Sequence, residues 1–113
     1  METSYLQKIS NDWNVVTWEI IEFKDPGLSK INKLLQDTFD VLKKYRNQEL
    51  VPKEISGILL EMYDFRWWVM DLKESPLHPF YQDISSAVNA LNKYFLYDQD
   101  DSEVEALIAN IHN

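Results

Sequence analysis

A chain of 113 residues with 45% apolar and 27% charged side chains has the make-up of one globular domain, and two glycines and four prolines leave little room for linkers or turn-rich β structure. The absence of cysteine excludes disulfides, thiolate nucleophiles and thiolate-held zinc. The net charge of −8 is carried by residues 48–113, where twelve acids face only Lys53, Arg66, Lys73 and Lys93, and such a field disfavours nucleic acid and anionic membranes while favouring a basic protein.

Residues 1–47, with seven acids and seven bases, are neutral by comparison. The first residues, METSYLQKISND, lack the basic end and apolar core of a secretory signal, and no apolar run approaches the roughly 20 residues that span a bilayer. The expectation is a soluble cytoplasmic protein with no membrane partner. Leu6, Ile9, Trp13, Val16, Ile20 and Phe23 recur at helical spacing, which favours a first helix. The β-branched run around Val15–Ile21 keeps strand as the alternative for residues 13–23. Asp25-Pro26-Gly27 ends that element, with Asp25 a candidate N-cap and Pro26 a first-turn residue of a second helix over Leu28–Tyr45. Its inward stripe is Leu28, Ile31, Leu35, Leu42 and Tyr45, widened by Leu34, Phe39 and Val41.

Pro52 suits the start of a third helix, reaching Leu72, with two apolar stripes. Ile55, Ile58, Met62, Phe65, Val69 and Leu72 form one, and Leu60, Tyr63, Trp67 and Met70 the other, so two packed neighbours are expected and Trp67 belongs in the core. The prolines at 76 and 79 break that helix. A fourth helix over Pro79–Tyr97 is expected to bury Phe80, Ile84, Ala87, Val88, Leu91, Tyr94 and Phe95. Ser102 and Glu105 have capping-box spacing ahead of a short closing helix carrying Val104, Leu107, Ile108 and Ile111. The fold class that results is all-α, a single domain over residues 1–113, built as an antiparallel four-helix bundle with a short fifth helix.

Candidate sites are few. Asp98, Asp100 and Ser102 match the opening of a calcium loop, but Glu103 stands where that loop needs glycine and Ala109 where it needs a bidentate glutamate. The acids then read as a solvated loop beside a helix N-terminus. No E-x-x-H pair supports a carboxylate-bridged metal centre, so no metal or other cofactor is expected. His78 and His112 have no nameable catalytic partners, and Ser85 and Ser86 lie on a helix without a nucleophile-elbow context. Glu61, Asp64, Trp68 and Asp71 share one face of the third helix, an indole among carboxylates. Two readings of Trp68 stay open: a boundary residue under a neighbouring helix, or an exposed anchor for a basic partner. Arg66 is expected to pair with a carboxylate of its own helix such as Glu61, although the sequence does not choose its partner.

Three classes of function follow. The first is an acidic module that docks onto a basic protein through Glu61, Asp64, Trp68 and Asp71 or through the loop bearing Asp98, Asp100 and Asp101. The second is a structural or regulatory subunit that associates through Tyr63, Trp67 and Trp68, and the third, ranked last, is an enzyme with unrecognised carboxylate chemistry. In size, charge, lack of cysteine and the stretch KKYRNQELVPKEISGILLEMYDF over residues 43–65, the chain resembles the small acidic helical immunity proteins made against nuclease bacteriocins, including colicin D-type inhibitors. That resemblance implies a tight one-to-one complex, with acids seated in the basic site where a toxin holds substrate phosphates.

Overall fold

The computed structural model describes residues 2–69, 72–97 and 100–111. Five α-helices occur among the described residues: α1 (Glu2–Ile21), α2 (Leu28–Tyr45), α3 (Glu54–Val69), α4 (Tyr81–Tyr97) and α5 (Asp101–Ala109), with a 3-10 turn at His78–Phe80 leading into α4. No strand occurs among the described residues. The open choice at residues 13–23 resolves as helix through Ile21, because Leu6, Ile9, Trp13, Val16 and Ile20 are all buried on one stripe. Burying that stripe outweighs the modest helix cost of the β-branched residues.

The end of α1 departs from expectation. Phe23 leaves the stripe, takes the left-handed backbone conformation at φ 62° and is 63% exposed. It acts as the reversal residue of the C-terminus, where Glu22 N–H donates to Trp18 O and Lys24 N–H to Glu19 O. Asp25 does not cap α2 either. Gly27 is the N-cap at φ 87°, and the Asp25 carboxylate accepts from the Gly27 N–H at 2.9 Å, tightening the turn before the helix. α2 itself has the expected bounds, and all eight of its expected inward residues are buried.

α1 and α3 form the most extensive helix pair; α1 also meets α2, and α4 meets α2, α3 and α5. At the α1–α3 seam a side chain on Gly57 would stand 3.3 Å from Ser10 Oγ, so its absence permits the close approach. Trp13 packs edge-on to Phe65 with centroids 5.3 Å apart, and Phe39 of α2 does the same to Tyr94 of α4 at 5.2 Å. The Trp13 indole N–H donates to Thr38 Oγ1 at 3.0 Å, while that hydroxyl donates to Leu34 O at 2.7 Å. Both polar groups are buried and both are satisfied.

α3 buries Ile55, Ile58, Met62, Phe65 and Val69, the first of its two expected stripes. The second does not pack. Leu60 and Tyr63 are exposed and Trp67 is 68% exposed, which corrects its assignment to the core. One stripe satisfies both neighbours, α1 and α4, and the remaining apolar face is left outside. Met70 of that stripe lies outside the described residues, and Leu72, half-buried, lies beyond the helix. Phe80 is also outside the core, because the 3-10 turn precedes the face that α4 buries through Tyr81, Ile84, Ala87, Val88, Leu91 and Tyr94. At α5 the expected capping box is replaced by Asp100, whose carboxylate accepts from Ser102 N–H at 2.8 Å. The far end of α5 is tied to α2, where Asn32 Nδ2 donates to Ile108 O at 3.0 Å and also to Ile111 O.

Candidate functional site

Beside the buried stripe of α3 runs the face bearing Glu61, Asp64 and Trp68, and it meets a matching face of α1. Asn14, Thr17, Trp18 and Ile21 of α1 join these three residues around one pocket of about 330 Å³. Helical spacing on each side, 14–17/18–21 against 61–64–68, sets the two rows along a common groove. The Trp13–Phe65 contact lies in the core between the same two helices.

The structure answers the question about Trp68 in favour of exposure: 58% of its surface is accessible, and Trp18 is 55% accessible. Glu61 and Asp64 are half-buried. Glu61 Oε2 accepts one hydrogen bond, from Asn14 Nδ2 at 3.1 Å. Among the described residues no lysine or arginine pairs with either carboxylate, and no donor pairs with Asp64. Arg66 does not turn back to Glu61. Its Nε donates to Ser85 Oγ at 3.1 Å and its Nη1 to Asn89 Oδ1 at 3.3 Å, so the guanidinium stitches α3 to α4.

The remaining expected site residues are distributed elsewhere. Asp71 and Asp98 lie outside the described residues. Asp100 is occupied by its cap, and the two bonds from Ser102, side chain first and backbone second, hold its carboxyl below the ordinary carboxylate value. Asp101 Oδ1 accepts from Arg46 Nη1 at 3.0 Å, and the same guanidinium lies 4.0 Å over the Tyr94 ring. Asp100 therefore serves the N-terminus of α5 and Asp101 ties α5 to Arg46 after α2, whereas Asp64 has no such engagement among the described residues. Among the described residues no group of three or more His, Asp or Glu side chains is placed to hold a metal ion, and no helix is long and apolar enough to cross a membrane.

Trp18 is the residue that periodicity alone passes over. The signal was available, since it lies off the Leu6–Ile20 stripe and an indole off the core stripe must either meet another element or face water.

A second groove lies on the opposite flank of α3, of about 550 Å³, against α4. Leu60, Tyr63, Leu96 and Tyr97 line it, its charged groups among the described residues are Arg66 and Lys93, and exposed Trp67 borders it beside Tyr63. Comparisons with protein-family models, with curated proteins and with solved structures find no match for this chain.

Proposed function

We propose that the protein is a small acidic binding module that docks onto a basic protein through the α1–α3 groove. The observation that carries the reading is the convergence of Trp18, Trp68, Glu61 and Asp64 on one pocket with no basic residue in its lining among the described residues. Exposed indoles supply contact area and the acids supply steering and pairing. In the form implied by the immunity-protein resemblance, the module is a cytoplasmic inhibitor that occupies the basic active site of a nuclease toxin. The long helices are read as an antiparallel bundle with a short fifth helix, a rigid support for such a face.

Affinity capture from source cells is expected to recover a basic protein whose complex weakens with salt and with Trp68→Ala or Asp64→Asn, while the helical circular dichroism is unchanged. A complex indifferent to salt and to both variants would remove the reading. A second reading, a subunit that associates through an apolar face, is favoured by the exposed Leu60, Tyr63, Trp67, Leu96 and Tyr97. Sedimentation of the isolated chain distinguishes it, since self-association through that face must respond to Trp67→Ala and not to Trp68→Ala.

A further inference from the structure

The α1–α3 pocket combines two kinds of negative potential. Glu61 and Asp64 contribute carboxylates, Trp18 and Trp68 contribute indoles, whose π-systems carry negative potential on their faces, and both groups favour a cation over an anion or a neutral group. The pocket of about 330 Å³ is at the small end of the about 300–1,000 Å³ range of ligand sites, so a side chain suits it better than a folded element.

The kind of cation follows from the hydrogen bonding. Asp64 has no donor among the described residues and Glu61 has one, from Asn14, which leaves acceptor positions beside the indoles. A quaternary ammonium cannot fill them, and an ammonium fills them only as a strongly hydrated point charge. A guanidinium is planar, weakly hydrated, stacks on indole and bonds carboxylates through parallel N–H groups. The same chain satisfies such a set internally: Arg46 lies 4.0 Å over Tyr94 and bonds Asp101 at 3.0 Å.

Resting on the docking function proposed above and deepening it, we infer that the pocket between α1 and α3 is an arginine-recognition site, taking an arginine side chain of the basic partner between Trp18 and Trp68 with Glu61 and Asp64 as its acceptors.

The test uses the full chain and three single-residue probes, the N-acetyl amides of arginine, lysine and Nε-trimethyl-lysine, followed by the indole N–H resonances. Arginine amide is expected to shift Trp18 and Trp68 saturably, while Trp13, bonded internally to Thr38, stays fixed as a reference. Lysine and trimethyl-lysine amides are expected to bind at least about tenfold more weakly, and Asp64→Asn to weaken arginine by about tenfold with the Trp13 signal retained. Should Asp64→Asn unfold, Glu61→Gln gives the same reading. No saturable shift, equal affinity for the three probes, preference for trimethyl-lysine, or a response confined to Trp67 would each overturn the assignment. Saturable arginine binding without docking of any basic protein would remove the docking function and leave the pocket. Docking that Asp64→Asn weakens, with no arginine preference, would remove the arginine assignment and leave the docking function.

Discussion

The two flanks of α3 carry similar side chains and opposite charge. Among the described residues, Trp68 and Trp18 stand toward α1 with Glu61 and Asp64 and no base, and Tyr63, Leu60, Leu96 and Tyr97 stand toward α4 with Arg66 and Lys93 and no acid. Aromatic exposure alone would rank them together. What separates them is the sign of the charge, since each flank has one engaged group, Glu61 with Asn14 and Arg66 with Ser85 and Asn89, and one without a partner among the described residues, Asp64 toward α1 and Lys93 toward α4. Exposed aromatic surface beside carboxylates favours a cationic ligand, whereas the same surface beside an ammonium and a guanidinium disfavours one.

The comparison can be broken most severely from underneath. Trp13 is fully buried at the seam, so Trp13→Ala is expected to cost about 3–5 kcal/mol in urea denaturation and to erase both grooves together. If the acidic pocket survived that change intact, the two flanks would not share a foundation. Arg66→Ala is expected to cost about 1–2 kcal/mol and to disturb the α3–α4 groove alone, leaving the Trp18 and Trp68 indole resonances in place. Trp67→Ala and Trp68→Ala are each expected to change stability by less than about 1 kcal/mol, yet to part company in binding, with only Trp68→Ala abolishing the response to arginine amide.

The smallest effect lies outside both flanks. The Asp100 carboxyl is lowered by its bonds from Ser102, so the stability it contributes is present above the ordinary carboxylate value of 3.8 and is lost as pH falls through the lowered value. Asp100→Ala should therefore flatten the acid limb of the melting-temperature profile near that range and leave neutral-pH arginine binding unchanged. Loss of binding in Asp100→Ala would return the α5 acids to the docking surface.

Local pattern carried the helices well because burial and periodicity agree. In α2, Leu28, Ile31, Leu35, Leu42 and Tyr45 form one stripe and every one of them is buried. In α3 the pattern was ambiguous, since apolar residues occupy more than one face and spacing does not say which face a neighbour covers. Hence Trp67 read as core and is exposed. Glu61, Asp64 and Trp68 were legible as a row on one helix, but the pocket was not, because its other wall comes from α1, at least 40 residues earlier in the chain. The caps failed for a different reason: Asp25 and Ser102 have the right chemistry, but neighbouring Gly27 and Asp100 take the cap positions.

The hydrogen bond from Trp13 to Thr38 reaches beyond the α1–α2 seam that it spans. Apolar packing resists separation of two helices but is tolerant of one rolling about its own axis; a directional bond on an indole edge is not. Because Trp13 and Trp18 are on the same helix, the bond also fixes the heading of Trp18 toward α3. Thr38→Val would keep the volume of the core but leave the buried Trp13 N–H without its acceptor, so the recognition face would lose definition together with about 1–3 kcal/mol of stability.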